Sequence, residues 1–273
     1  MEEIPLKGGN MTAGVVRVAD TVRRPLTPQS PTIHRLLRHL EAHGVTWVPR
    51  FHGIDEQGRE ILDYIKGEVR HDTPDWMREA SVLEQVVRAL RAFHDATVTF
   101  ERHPDDVWFW GVREPAEVIG AIDFAPYNHV FRDGRFAGAI DLDLCSPVPR
   151  LWDLAWTLYR YVPLTPPADA AVDDGDAPDR SPFDVATMRE RARLALEAYG
   201  PYVGADGGAE RVRTVGELLA ATVSRLDAIA DWGAASDSPE QHVWARMYRA
   251  HARWIEAGGL GGLEVLTTPQ DIA

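Results

Sequence analysis

One stretch decides the fold: Ile122-Asp123-Phe124-Ala125-Pro126-Tyr127-Asn128-His129-Val130-Phe131-Arg132, then Asp133-Gly134, then Arg135-Phe136-Ala137-Gly138-Ala139-Ile140-Asp141-Leu142-Asp143. An Asp-Gly pair between two apolar, β-prone runs predicts a two-residue hairpin turn, because both central positions of such a turn need a positive φ. The turn pairs Arg132 with Arg135 and, counting outward, Asn128 with Ala139. Asp141 then returns to the level of Asn128, and Asp123 lies one short loop away, so two carboxylates and a carboxamide converge. A small set of hard oxygen donors from Asn and Asp suits a magnesium ion that keeps some water and takes its other ligands from nucleotide phosphates. A carboxylate beside that ion is placed to orient and deprotonate a hydroxyl.

The segments on either side give the hairpin its setting. Residues 6 to 25 read as antiparallel strands: a Gly8-Gly9-Asn10 turn, the run Val16-Arg17-Val18, a turn at Asp20, and Thr21-Val22-Arg23-Arg24 stopped by Pro25. Ile33, Leu36, Leu37 and Leu40 recur at helical spacing and predict a helix over 32 to 43, ended by Gly44. Residues 47 to 65 read as two more strands around Asp55-Glu56-Gln57-Gly58. Beyond residue 67 the pattern turns helical. Ser81 with Glu84 reads as a capping box before the stripe Leu83, Val86, Val87, Leu90 and Phe93. Further helices are expected over 150 to 161, 182 to 199, 209 to 233 and 239 to 257, with an exposed loop from 166 to 179 that carries the acidic run Asp173-Asp174-Gly175-Asp176.

Composition narrows the classes of function. The 273 residues carry 42 acids against 29 bases, a net charge of −13, which repels phosphate backbones and disfavours a general nucleic-acid binder. The same charge attracts cationic small molecules at long range. Cys145 is the single cysteine, so no intrachain disulfide forms and a cytoplasmic setting is expected. No apolar run approaches the roughly 18 residues of a spanning helix, so no membrane role is expected.

Asp-x-x-x-x-Asn with a second Asp after a hairpin is the catalytic and metal-binding layout of protein kinases. With 24 Asp and two Asn in the chain, composition alone supplies about 0.2 such spacings, so the flanking segments carry weight too. With Gly8-Gly9-Asn10 as a short nucleotide loop, Thr21 to Pro25 as a third strand, Ile140-Asp141-Leu142-Asp143 as a metal segment and Trp152-Asp153-Leu154-Ala155 after it, the chain resembles the aminoglycoside phosphotransferase and choline kinase-like family over almost its whole length.

The resemblance implies a two-lobed, protein kinase-like α+β fold. A reduced N-terminal β lobe would span residues 1 to 65 and a mostly helical C-terminal lobe residues 66 to 273, with nucleotide bound between them. It implies magnesium-dependent transfer of the γ-phosphate of ATP or GTP to a hydroxyl of a small, hydroxylated acceptor, which the acidic surface would favour as a cation. Asp123 would be the catalytic base, Asn128 and Asp141 would hold magnesium, and Asp143 would either join them or stand behind them. Gly8, Gly9, Asn10 and Arg23 are the nucleotide-binding candidates, completed by Asp63 and Ile65 where the last strand runs out, and Asp153 would brace the catalytic loop.

Three positions depart from the family pattern. Ala121 stands where the family usually has His. Lys7 and Lys66 are the only lysines, so Arg23 substitutes for the phosphate-holding Lys, with a planar fork in place of a point charge. The helix over 32 to 43 offers only Glu41, near its far end, to pair with that base. Two alternatives therefore stay open: a non-catalytic kinase-like module that binds nucleotide, peptide or a partner protein, and a kinase whose acceptor is a peptide Ser or Thr.

Overall fold

The computed structural model describes residues 2–6, 14–168, 180–205 and 207–261. By contacts the chain groups into two compact units, Met1–Thr73 with Ala89–Pro149 and Pro74–Arg88 with Arg150–Ala273. This grouping puts the hairpin segment with the sheet and does not follow the boundary expected at residues 65 and 66.

Alternating apolar residues build the first unit's sheet. Its strands are β1 (Ile4–Pro5), β2 (Val16–Val18), β3 (Thr21–Pro25), β4 (Phe51–Ile54) and β5 (Arg59–Asp63), in the order β1-β2-β3-β5-β4 with every neighbour antiparallel. Between β3 and β4 runs helix α1 (Ser30–Ala42), which buries Ile33, Leu36, Leu37 and Leu40 as their spacing predicts. Each such side chain contributes about 2 kcal/mol when fully buried. Gly44 follows with φ of 80°, a left-handed position where glycine ends a helix without strain.

Two small antiparallel ladders complete this unit: β6 (Val118–Gly120) with β9 (Ser146–Val148), and the hairpin of β7 (His129–Arg132) with β8 (Arg135–Ala139). Asp133 and Gly134 take φ of 50° and 70°, and Arg132 pairs with Arg135. The outer register differs from the expectation. A shift between Val130 and Phe131 sets His129, not Asn128, opposite Ala139. At the shift β7 is paired on both edges, since Phe131 exchanges two backbone hydrogen bonds of 2.8 Å with Glu68. Gly67 makes that approach feasible, because a Cβ there would lie 2.4 Å from Val130 Cγ1 and 2.6 Å from the Phe131 carbonyl oxygen. Asn128 keeps its level through its carbonyl, which accepts from the Ile140 N–H at 2.8 Å.

Helix α2 (Ala80–Thr97) is divided between the units. It starts one residue before Ser81, with the Glu79 carbonyl accepting from Val82 and Leu83, so Ser81 lies inside the first turn and the expected Ser81–Glu84 box is not the cap. The second unit holds α3 (Arg150–Tyr161), α4 (Val185–Tyr199), α5 (Val215–Ala234) and α6 (Pro239–Glu256), with α5 packed on both α3 and α6. Asp184 caps α4 through the Thr187 N–H, and Thr214 with Glu217 forms a full capping box on α5. The Arg225 guanidinium of α5 is buried over the rings of Trp152 and Trp156, at 4.4 and 4.7 Å from their centroids. Among the described residues no helix is long and apolar enough to cross a membrane.

Candidate active site

Adjacent residues on a strand face opposite sides, and β3 carries two arginines in succession. Arg23 hydrogen-bonds Thr21 Oγ1 at 2.6 Å and lies 3.7 Å from the Asp55 carboxylate. Arg24 turns the other way, is only 8% exposed, and meets three carboxylates. Its Nε donates to Glu60, its direct partner across the β3–β5 ladder, while its terminal nitrogens donate to Asp143 and, at 3.2 Å, to Asp141. Glu60 is 1% exposed and also engages His34 Nε2 of α1 at 2.5 Å. A buried charge is tolerated only when paired and hydrogen-bonded, and this network meets that condition. Arg24, rather than Arg23, is thus the arginine that faces the site carboxylates.

Two residues near Asp123 and Asn128 hold strained backbone conformations. Ile122, a β-branched residue, has φ of 67°, and Asp141 has φ of 61°. Such conformations cost of order 1–3 kcal/mol and persist only where the surroundings enforce them. The first makes a tight turn in which the Asp123 N–H donates to the Ala121 carbonyl at 2.8 Å, lifting Asp123 out of an otherwise buried segment. A 3-10 turn at Pro126–Asn128 then brings Asn128 back, and its Nδ2 donates to Asp123 Oδ2 at 2.9 Å and to the Asp123 carbonyl at 3.0 Å. Tyr127 Oη donates to Asp123 Oδ1 at 2.7 Å. Residues 140–143 are irregular rather than a strand, so strand alternation does not explain the common direction of Asp141 and Asp143; both are turned toward Arg24 by the left-handed Asp141.

Charges in this cluster are unbalanced. Partial desolvation raises the Asp141 pKa although half of its side chain is exposed, Arg24 opposes that rise, and the nearby negative charge of Asp123 adds to it. Asp143 is pushed up to about 6 by burial, against Arg24 and with the help of Asp141 and Glu60. Burial would also raise Glu60, but the bonds from His34 and Arg24 hold it below the usual carboxylate range. One guanidinium therefore faces more negative charge than it neutralises, and a cation bound beside Asp141 would relieve the excess. Among the described residues no group of three or more His, Cys, Asp or Glu is placed to hold a metal by itself. Asn128 and Asp141 offer two oxygen donors, which matches magnesium, an ion that keeps several waters and completes its shell with phosphate oxygens.

The remaining candidates lie as follows. Gly8, Gly9 and Asn10 fall outside the described residues, as does the acidic run at 173 to 176. The Asp63 carboxylate is engaged by Arg50 Nε at 2.8 Å and His52 Nε2 at 2.6 Å, on the far end of β5 from Glu60. Ile65 packs against the hairpin, its Cδ1 standing 3.0 Å from where a Cβ on Gly138 would be. Asp153 is fully buried in the first turn of α3, in the second unit. Four residues of the cluster escaped the sequence reading: Arg24, Glu60, His34 and Tyr127. Glu60 had a signal, since it alternates with Leu62 on the buried face of β5.

A model of the phosphotransferase enzyme family matches residues 122–194, the stretch that holds Asp123, Asn128, Asp141 and Asp143. The trifolitoxin immunity protein of Rhizobium leguminosarum bv. trifolii is 35% identical over 266 residues, covering 93% of this chain and 95% of that protein. The chain belongs to the phosphotransferase enzyme family. Among solved structures, choline kinase from Cryptosporidium parvum Iowa II superposes with a TM-score of 0.60 at 11% identity, over 97% of this chain and 92% of that one. The GDP complex of aminoglycoside 2'-phosphotransferase-IIIa superposes with a TM-score of 0.56 at 10% identity, over 95% and 93%. At these identities the likeness is one of fold, and the fold of this phosphotransferase-family chain is the α+β protein kinase-like fold.

Proposed function

We propose that this chain transfers the γ-phosphate of ATP or GTP to a hydroxyl of a small molecule, with magnesium as the metal. The observation that carries the reading is the convergence of Asn128 on Asp123, at 2.9 Å, with Asp141 close enough for the two carboxylate charges to act on each other. In this reading Asp123 orients the acceptor hydroxyl and takes its proton as the oxygen attacks. Asn128 and Asp141 hold the metal, which supplies charge neutralisation at the phosphate oxygens. Arg24, fixed by Glu60 and Asp143, faces the nucleotide phosphates in the role first given to Arg23. The protein's contribution is mainly positioning.

The net charge of −13 favours a cationic acceptor. Structural neighbours are named for choline and aminoglycosides, and the 35% identical relative for immunity to trifolitoxin, so hydroxylated toxins join those classes in the acceptor screen. A cytoplasmic setting suits a nucleotide-dependent reaction and the buried free Cys145. A second reading, binding without phosphoryl transfer, is favoured by one observation: Arg24 already bonds both Asp141 and Asp143.

Calorimetric titration of ATP and GTP, with and without magnesium, into wild type and Asp141→Asn separates the readings. Magnesium-dependent binding that the variant loses supports transfer and starts the acceptor screen. Nucleotide binding indifferent to both magnesium and Asp141→Asn overturns the metal assignment and favours the second reading.

A further inference from the structure

From residue 121 to residue 130 every side chain is buried except two, Asp123 and Tyr127, and those two are hydrogen-bonded to each other. Tyr127 Oη donates to Asp123 Oδ1 at 2.7 Å, while Asn128 Nδ2 donates to Oδ2 at 2.9 Å. A hydroxyl that donates to the basic carboxylate at this distance has the geometry an acceptor alcohol adopts before its proton is removed. The phenol is not there through slack in the loop. Pro126 opens the 3-10 turn, the Asn128 N–H donates to the Ala125 carbonyl at 2.9 Å, and Phe124, Ala125, Pro126 and Asn128 are all buried, so the backbone carrying Tyr127 is fixed.

We infer that Tyr127 stands in for the acceptor hydroxyl: its phenol covers Asp123 Oδ1 and keeps water from being activated there until an acceptor displaces it. The inference rests on the proposed role of Asp123. Without such a cover a bound nucleotide would be hydrolysed. The water oxygen would form a bond to the γ-phosphorus, the bond from phosphorus to the bridging oxygen would break, ADP would leave with that oxygen, and the water proton would pass to Asp123. The cover also selects acceptors, since a hydroxyl reaches Oδ1 only by outcompeting the phenol and displacing its ring.

The test needs no knowledge of the acceptor. Hydrolysis of ATP with magnesium is measured for wild type, Tyr127→Phe and Tyr127→Met, each also combined with Asp123→Asn, and ATP affinity is measured for every variant by calorimetry. Tyr127→Phe should raise kcat for hydrolysis about tenfold, the release expected from losing a charge-assisted hydrogen bond, with affinity unchanged. Tyr127→Met should do the same if the Phe variant folds poorly, and Asp123→Asn should cancel either gain. A merely structural tyrosine would give equal or slower hydrolysis, and that result at unchanged affinity overturns the inference while leaving the nucleotide site standing. Absence of ATP binding by wild type, read in the calorimeter, overturns the proposed function and the inference together.

Discussion

Replacing Glu60 with glutamine removes one charge from the most enclosed part of the site and leaves the shape almost unchanged. Glu60 is 1% exposed and bonds Arg24 on one side and His34 on the other. Breaking a buried ion pair by removing one partner costs about 3–5 kcal/mol. Arg24 keeps Asp141 and Asp143, so its charge is not orphaned, and about 2–3 kcal/mol is the reasoned cost here. A glutamine also turns its amide nitrogen toward either the guanidinium or the imidazole, where an acceptor is needed. For a chain of this size each kcal/mol moves the melting midpoint by about 2–4 °C, so Glu60→Gln should lower Tm by about 4–12 °C. Differential scanning calorimetry at pH 7 measures it, and a double-mutant cycle with His34→Asn should return a coupling of about 1 kcal/mol between the two positions. A Tm within about 2 °C of wild type, or a strictly additive cycle, would refute the claim that this network stabilises the first unit.

Two groups away from that network, His129 and Glu217, make stability depend on acid. His129 is fully buried among Phe124, Phe131 and Phe136, and burial depresses its pKa to about 3. Its contribution is fully present above the unfolded value near 6.5 and is lost as pH falls toward 3, because only the unfolded chain takes up the proton. The unfolding free energy from urea titrations should therefore fall by about 2–3 kcal/mol between pH 6.5 and 4.5, and His129→Leu should flatten that slope; an unchanged slope would show another group responsible. Glu217 is held at about 2, first by its bond from Arg211, against burial, and then by Thr214. Its contribution is present above pH 4.5 and is lost as pH falls toward 2. Because a third of the side chain is exposed, solvent screening reduces Glu217→Ala to about 1–2 kcal/mol at pH 7, and the gap to wild type should close by pH 2 in circular-dichroism melts.

The parts of the fold legible in the sequence are those set by local chemistry. Asp133-Gly134 announces its turn because both residues accept positive φ, and Ile33, Leu36, Leu37 and Leu40 announce α1 by spacing. Placement of Asp123, Asn128 and Asp141 near one another follows from the turn and the chain length alone. The register between His129 and Ala139 does not, since its shift arises where β7 also pairs with Glu68, more than sixty residues earlier. Choosing between Arg23 and Arg24 is equally a tertiary question. Period two puts the arginines on opposite faces, and only the ladder partner, Glu60 rather than Ile61, shows which face holds the carboxylates. Tyr127 could not be singled out, because its hydroxyl acquires meaning only from the 3-10 turn that aims it at Asp123.

The source of Arg24's partner has a consequence for control of the site. A base held by a glutamate on a helix is withdrawn when the helix moves, whereas Glu60 belongs to β5 and faces Arg24 directly across the ladder. Among the described residues, His34 is the side chain of α1 that bonds this pair. Displacing α1 would break the His34–Glu60 bond and leave Arg24 oriented by the sheet, so nucleotide affinity should depend strongly on Glu60 and weakly on His34. His34→Ala should change the affinity for ATP with magnesium by less than about threefold, while Glu60→Gln should weaken it about tenfold, the equivalent of about 1.4 kcal/mol. Both constants come from the same calorimetric titration. Equal losses in the two variants would mean that α1 positions the arginine as a helix glutamate does, and that the cross-strand pair is only structural.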